Sequence, residues 1–186
     1  MHPYENISLD TVGYILAIWL MGLHFWMLVK PAQSKSFFIK LPRNRVIAPW
    51  LMAAGMFWFW LLIAPSGLGP LSKLQMDLGE FNQAKSILRI IIPIAAVGMI
   101  TQVKEFLAVR GLGLLALMAA APLLYAASLA APLTRLLIPL YAYALLFGGL
   151  FLIGMPYTLR YLIPYVTQPD PRSRIPAIAG FAPRLA

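Results

Sequence analysis

No cysteine occurs in these 186 residues, which removes disulfide frameworks, thiolate metal sites and iron–sulfur ligation by this chain. Acidic residues are nearly as scarce: Glu5, Asp10, Asp77, Glu80, Glu105 and Asp170 are all there are. Each lies outside, or at the edge of, the long apolar runs. A proton or sodium path needs a carboxylate relay or a broken-helix carbonyl site at mid-membrane depth. The runs offer only Tyr125, Ser128, Tyr141, Tyr143 and scattered prolines towards the C-terminal half, so a self-contained ion-coupled transporter is disfavoured. No Ser-His-Asp set and no cluster of metal ligands can be assembled, and no enzymatic activity is expected. The glycine-rich pieces SGLGP (66–70) and RGLGLL (110–115) lack the strand–turn–helix context of a phosphate loop.

What is present is apolar. Hydrophobic residues make up 61%, charged residues 11%, and the mean hydropathy is +0.78. A soluble domain has roughly 45–50% apolar and about 25% charged residues. A chain this short cannot hide such an excess in one core, so lipid must cover it. The net charge of +9 would suggest nucleic acid in a soluble protein. Here the cations sit in short segments beside apolar runs, which points to anionic lipid headgroups instead.

Five runs read as membrane spans, at about 11–29, 46–64, 87–103, 111–131 and 136–159. The first has no basic residue before it, whereas a cleaved signal peptide needs a positive leading segment; it reads as a retained span. Pro49 falls in the first turn of the second, where a missing N–H costs little. The third is interrupted near its start by Arg89 and Pro93. The expected fold is therefore an all-α integral membrane bundle of about five helices over residues 1–163, followed by a Pro-rich tail, 164–186.

The stretch Leu20–Arg45 sets the orientation. It leaves the first run at Lys30-Pro31 and delivers Lys35, Lys40, Arg43 and Arg45 before the second begins. The segment before the first run has no Lys or Arg, and the third connection carries Lys104 and Arg110. The fourth has only Arg135, and the tail has Arg160, Arg172, Arg174 and Arg184. The second connection balances Lys73 and Lys85 against Asp77 and Glu80. Basic and non-basic connections alternate as five spans require, giving the N-terminus outside and the C-terminus in the cytoplasm, in a bacterial-type plasma membrane.

Two connections carry more than charge. Leu71, Leu74, Leu78 and Phe81 form a helical stripe, with Lys73, Asp77 and Glu80 on other faces, and predict a short interfacial helix on the outer side. A weak Lys73–Asp77 pair at four-residue spacing would accompany it. On the inner side Phe37, Phe38, Ile39 and Leu41 alternate with cations, as suits a segment resting among headgroups. Lys35, Lys40, Arg43, Arg45, Arg172 and Arg174 are the candidate lipid or partner contacts. Gly111, Gly113, Ala116, Ala119, Ala120, Ala126 and Ala127 give the fourth span a small-residue surface for close helix approach, within the chain or between chains. The tail, with prolines at 164, 169, 171, 176 and 183, cannot build a core and is expected to lie against a partner.

His24 is the one titratable residue well inside a span and the only candidate cofactor-binding residue. Neutral imidazole could ligate a haem iron or a chlorophyll magnesium, face a partner or a quinone, or simply pack with a hydrogen bond; the packing reading is favoured. Two histidines of this chain cannot clamp one haem, because His2 belongs to the opposite side. Trp26 and Trp50 fall near the inner interface, and Trp58 and Trp60 near the outer, as an aromatic belt would place them. Arg89 is expected to snorkel to the outer interface, with Glu80 as the alternative partner. Together these features favour an accessory subunit of a larger, energy-converting membrane complex, binding other subunits and lipids. A cofactor-site protein built on His24 and a small lipid or hydrophobic-solute transporter are the alternatives.

Overall fold

The computed structural model describes Tyr4 and residues 7–65, 67–103, 105–128 and 136–159. Among them every regular element is helical: α1 (Leu9–Val29), α2 (Pro31–Lys40), α3 (Ile47–Leu62), α4 (Lys85–Gln102), α5 (Leu107–Ala127) and α6 (Leu137–Gly154). Four of these, α1, α4 with the turn before it, α5 and α6, are long and apolar enough to cross a membrane. The fifth, α3, has 16 residues, about 24 Å of helix at 1.5 Å per residue against a hydrocarbon core of about 30 Å. It reaches spanning length only together with the segment Pro31–Arg43, from which it is bent by 72°. Over the described residues the molecule is an all-helical, multi-pass membrane protein with four to five spans.

The core is the sandwich α3–α5–α6, and glycine makes it. A Cβ on Gly111 would stand 2.8 Å from the Met52 amide nitrogen, and one on Gly55 2.9 Å from the Leu114 side chain. On the other side of α5, Gly113 and Gly149 meet backbone to backbone: a Cβ on either would lie 2.7 Å from the other's carbonyl oxygen. Between lipid-covered helices, close packing of this kind supplies much of the association energy. The small-residue surface of α5 is thus occupied within the chain.

The same contacts set the helix directions. Residues 52 and 55 face 111 and 114, so α3 and α5 run parallel, while 113 and 117 face 152–153 and 149, so α5 and α6 run antiparallel. The end of α3 meets the start of α4 through Arg89, and Tyr4, before α1, meets Trp58 and Tyr125. Each consecutive span therefore reverses direction. One end of the bundle gathers Tyr4, Trp58, Trp60, Arg89 and Tyr125; the other gathers Trp26, Trp50, α2 and the first turn of α5.

Two connections differ from the sequence reading. The stretch after α3 does not form one amphipathic helix; it makes two 3₁₀ turns, Gly69–Leu74 and Gly79–Ala84. Gly69 and Gly79 adopt positive φ of 62° and 57°, which breaks any continuous α-helix, and the expected Lys73–Asp77 helical pair loses its basis. Asp77 instead accepts from the Gly79 amide and the Asn82 side chain. Conversely, the basic connection is more ordered than its charges suggest. Pro31 opens α2 at a position where it costs no hydrogen bond. A 3₁₀ turn at Leu41–Arg43 follows, and the Asn44 side chain caps the start of α3 by accepting from the amides of Val46 and Ile47. The tail 164–186, with Arg172 and Arg174, lies outside the described residues.

Candidate functional site

Helix α1 stands apart from this core. Val12 is its one buried residue. Tyr14, Ile15, Ile18, Trp19, Met21, Phe25 and Leu28 are exposed over about half of its circumference, while Leu16, Leu20, Leu23 and Trp26 continue from Val12 as a half-buried stripe. A span in a bundle normally buries a stripe against its neighbours; the stripe on α1 is only half-covered, and 6% of the span is buried against 33% of α5. Besides its contact with α5, ring contacts fix its two ends. At one end Trp58 Nε1 donates to the Tyr4 hydroxyl at 2.7 Å, and the Tyr4 ring lies 6.2 Å from that of Tyr125. At the other, Trp26 packs edge-on against Phe37 at 5.7 Å and beside Phe38 at 6.2 Å, fixing the elbow between α1 and α2.

His24 sits on the exposed surface of this helix. Its Nδ1 lies 2.7 Å from the Leu20 carbonyl oxygen one turn earlier. A carbonyl can only accept, so Nδ1 carries the proton, and in the neutral ring Nε2 is left as a bare lone pair. No described group bonds to Nε2. The packing role favoured by the sequence is thus half realised: the hydrogen bond is made, but the ring packs against no core of this chain.

The basic end carries the lipid-contact candidates. Lys35, Lys40, Arg43 and Arg45 are all exposed along α2 and its following turn. Since α2 lies at a steep angle to α3, these cations are spread across the end of the bundle rather than stacked along it. The fold adds Arg110, which the sequence placed only as loop charge. It stands in the first turn of α5, with Nε buried and lacking a hydrogen-bond partner. At the opposite end Arg89 neither snorkels outward nor pairs with Glu80. Its Nε donates to the Ile63 carbonyl at 2.7 Å and its Nη2 to that of Ala64 at 3.4 Å, while the Trp60 indole donates to the Arg89 carbonyl at 3.2 Å. Arg89 is the cap of α3, placed where a cation meets the negative end of a helix dipole. Its partners are backbone oxygens some 25 residues away, which no side-chain pattern announces.

Among the described residues there is no group of three or more His, Asp or Glu able to hold a metal ion. Comparison of the chain with protein-family models, with curated proteins and with solved structures finds no match. The functional reading therefore rests on the geometry above.

Proposed function

We propose that this chain is a non-catalytic accessory subunit of a larger membrane protein complex of the energy-converting kind, electron-transporting or photosynthetic, in a bacterial-type plasma membrane. The observation that supports this most is α1. The glycine-packed core of α3, α5 and α6 hides a surface of its own, whereas α1 buries only Val12 and leaves about half of its circumference, lined by large apolar side chains, exposed. Gly13 and Gly22 add open ground, with nothing within 4 Å of where a Cβ would be, so that another backbone can approach closely. In this reading α1 packs against a span of a neighbouring subunit. The cations of α2, the following turn and the tail then face the cytoplasm, where they hold anionic headgroups and partner surfaces.

The test is gentle detergent extraction of the tagged chain, with a photo-crosslinking residue placed either at Trp19, exposed on α1, or at buried Val12. A second polypeptide present in fixed ratio and crosslinked from position 19 but not from position 12 supports the proposal. A lone chain or small homo-oligomer that crosslinks only to itself overturns it.

A further inference from the structure

Imidazole in a hydrocarbon-facing position is costly unless something takes up its polar atoms. His24 settles one of them internally, and the way it does so restricts what can take up the other. With Nδ1–H committed to Leu20, Nε2 can only offer a lone pair. A quinone presents carbonyl oxygens, which are acceptors too, so a quinone carbonyl cannot bond to it. Acyl chains offer no donor at this depth, five residues or about 7–8 Å along the axis from the end of α1. A serine or threonine hydroxyl from a neighbouring span gains little by turning to it, because such hydroxyls satisfy themselves on their own helix. Thr101 of this chain does so, donating to the Val97 carbonyl at 2.8 Å.

Apart from a donor brought by another molecule, such as a quinol hydroxyl or an indole N–H, the group that takes up such a lone pair is a metal with an open coordination position. A bare ion is excluded, since one imidazole cannot hold it and the described residues provide no group of three ligands. A metal that arrives with four equatorial ligands in a flat, apolar macrocycle needs only one more, and the surroundings suit it. Leu20, Met21, Met27 and Leu28, one turn either side of His24, are apolar, and Met21 and Leu28 are 72% and 80% exposed. A metal-ligating histidine ordinarily donates its second ring N–H to a carboxylate or a backbone carbonyl, which fixes the tautomer and orients the ring. His24 is already in that state.

We infer that His24 Nε2 is the axial ligand of a metal tetrapyrrole, a haem or a chlorophyll, seated on the outward face of α1. This goes beyond the accessory-subunit reading and does not depend on it. The opposite axial position is left to water, to a partner or, for magnesium, to nothing.

Zinc protoporphyrin, which takes one axial ligand, and metal-free protoporphyrin, which takes none, separate ligation from mere partition into an apolar surface. Both are titrated into the full-length chain in detergent, alongside His24→Leu and His2→Leu. The zinc form is expected to bind once per chain about tenfold or more tightly than the free base, with an absorption shift of axial nitrogen ligation. That preference should vanish in His24→Leu and persist in His2→Leu, while free-base binding stays unchanged and reports an intact surface. Equal affinity for the two porphyrins, or a zinc preference that survives His24→Leu, overturns the assignment. Iron or magnesium in the protein taken from its own membrane then tells a haem from a chlorophyll.

Discussion

Arg89 ties α4 to the end of α3 with bonds to two backbone carbonyls. Hydrogen bonds from a charged donor contribute about 1.5–3 kcal/mol each where water is scarce. Arg89→Met should therefore lower the free energy of unfolding in detergent–SDS mixtures by about 2 kcal/mol, and Arg89→Lys should recover part of it. Neighbouring glycines on α6 offer a sharper contrast. Gly149→Ala forces a Cβ to 2.7 Å from the Gly113 carbonyl, while Gly148→Ala meets nothing within 4 Å. The first should cost about 1–3 kcal/mol through overpacking, and the second should be neutral or slightly stabilising through better helix propensity; the same unfolding assay measures both. The small-residue surface of α5 was legible as a string of Gly and Ala. Which helices would fill it was not, because a missing side chain does not name its neighbour. His24 stood out in the sequence as a titratable residue in an apolar run. Its exposure was hidden because α1 has no polar face to show which side looks outward.

The connection between α3 and α4 shows how far pattern reading holds at the level of elements. Leu71, Leu74, Leu78 and Phe81 satisfy a helical period, yet Gly69 and Gly79 at positive φ divide the stretch into two turns. Asp77 organises the second turn. Its carboxyl is held below the ordinary value of 3.8, first by the Asn82 side chain, then by the Gly79 amide and by the charge of Lys85. A lowered carboxylate pKa stabilises the fold above its unfolded value, and that contribution is lost as pH falls through the lowered folded value. Acidification below about pH 4 should therefore loosen this turn locally, seen as faster exchange of the Leu78 and Gly79 amides, with little change in the helical core. Asp77→Asn should remove the pH dependence. The helix α2 was not foreseen for a different reason: Lys30-Pro31 marked the end of the first run, and a proline at the first helical position also begins a helix.

Across the whole molecule, the expected all-helical bundle of about five spans agrees with the four to five apolar helices of spanning length among the described residues, because hydrophobic length is a property of sequence alone. The parallel course of α3 and α5 follows from paired contacts and agrees with a chain that reverses at every connection. The orientation rests on the positions of Lys and Arg. A reporter enzyme fused at Gly67 should be active only outside the membrane, and one fused at Asn44 only in the cytoplasm; the reverse pattern would turn the molecule over. What could not be foreseen was the unequal attachment of the spans. Five runs of similar hydropathy look equivalent in the sequence, but α5 is buried over 33% of its span and α1 over 6%.

That inequality has a consequence for biogenesis. Chains are made from the N-terminus, so α1 reaches the bilayer ahead of α3, α5 and α6. Its exposed half has no surface on its own core to wait for. In the accessory-subunit reading, a neighbouring subunit can therefore engage α1 while the ribosome is still working, and the glycine-packed body then closes behind a contact already made.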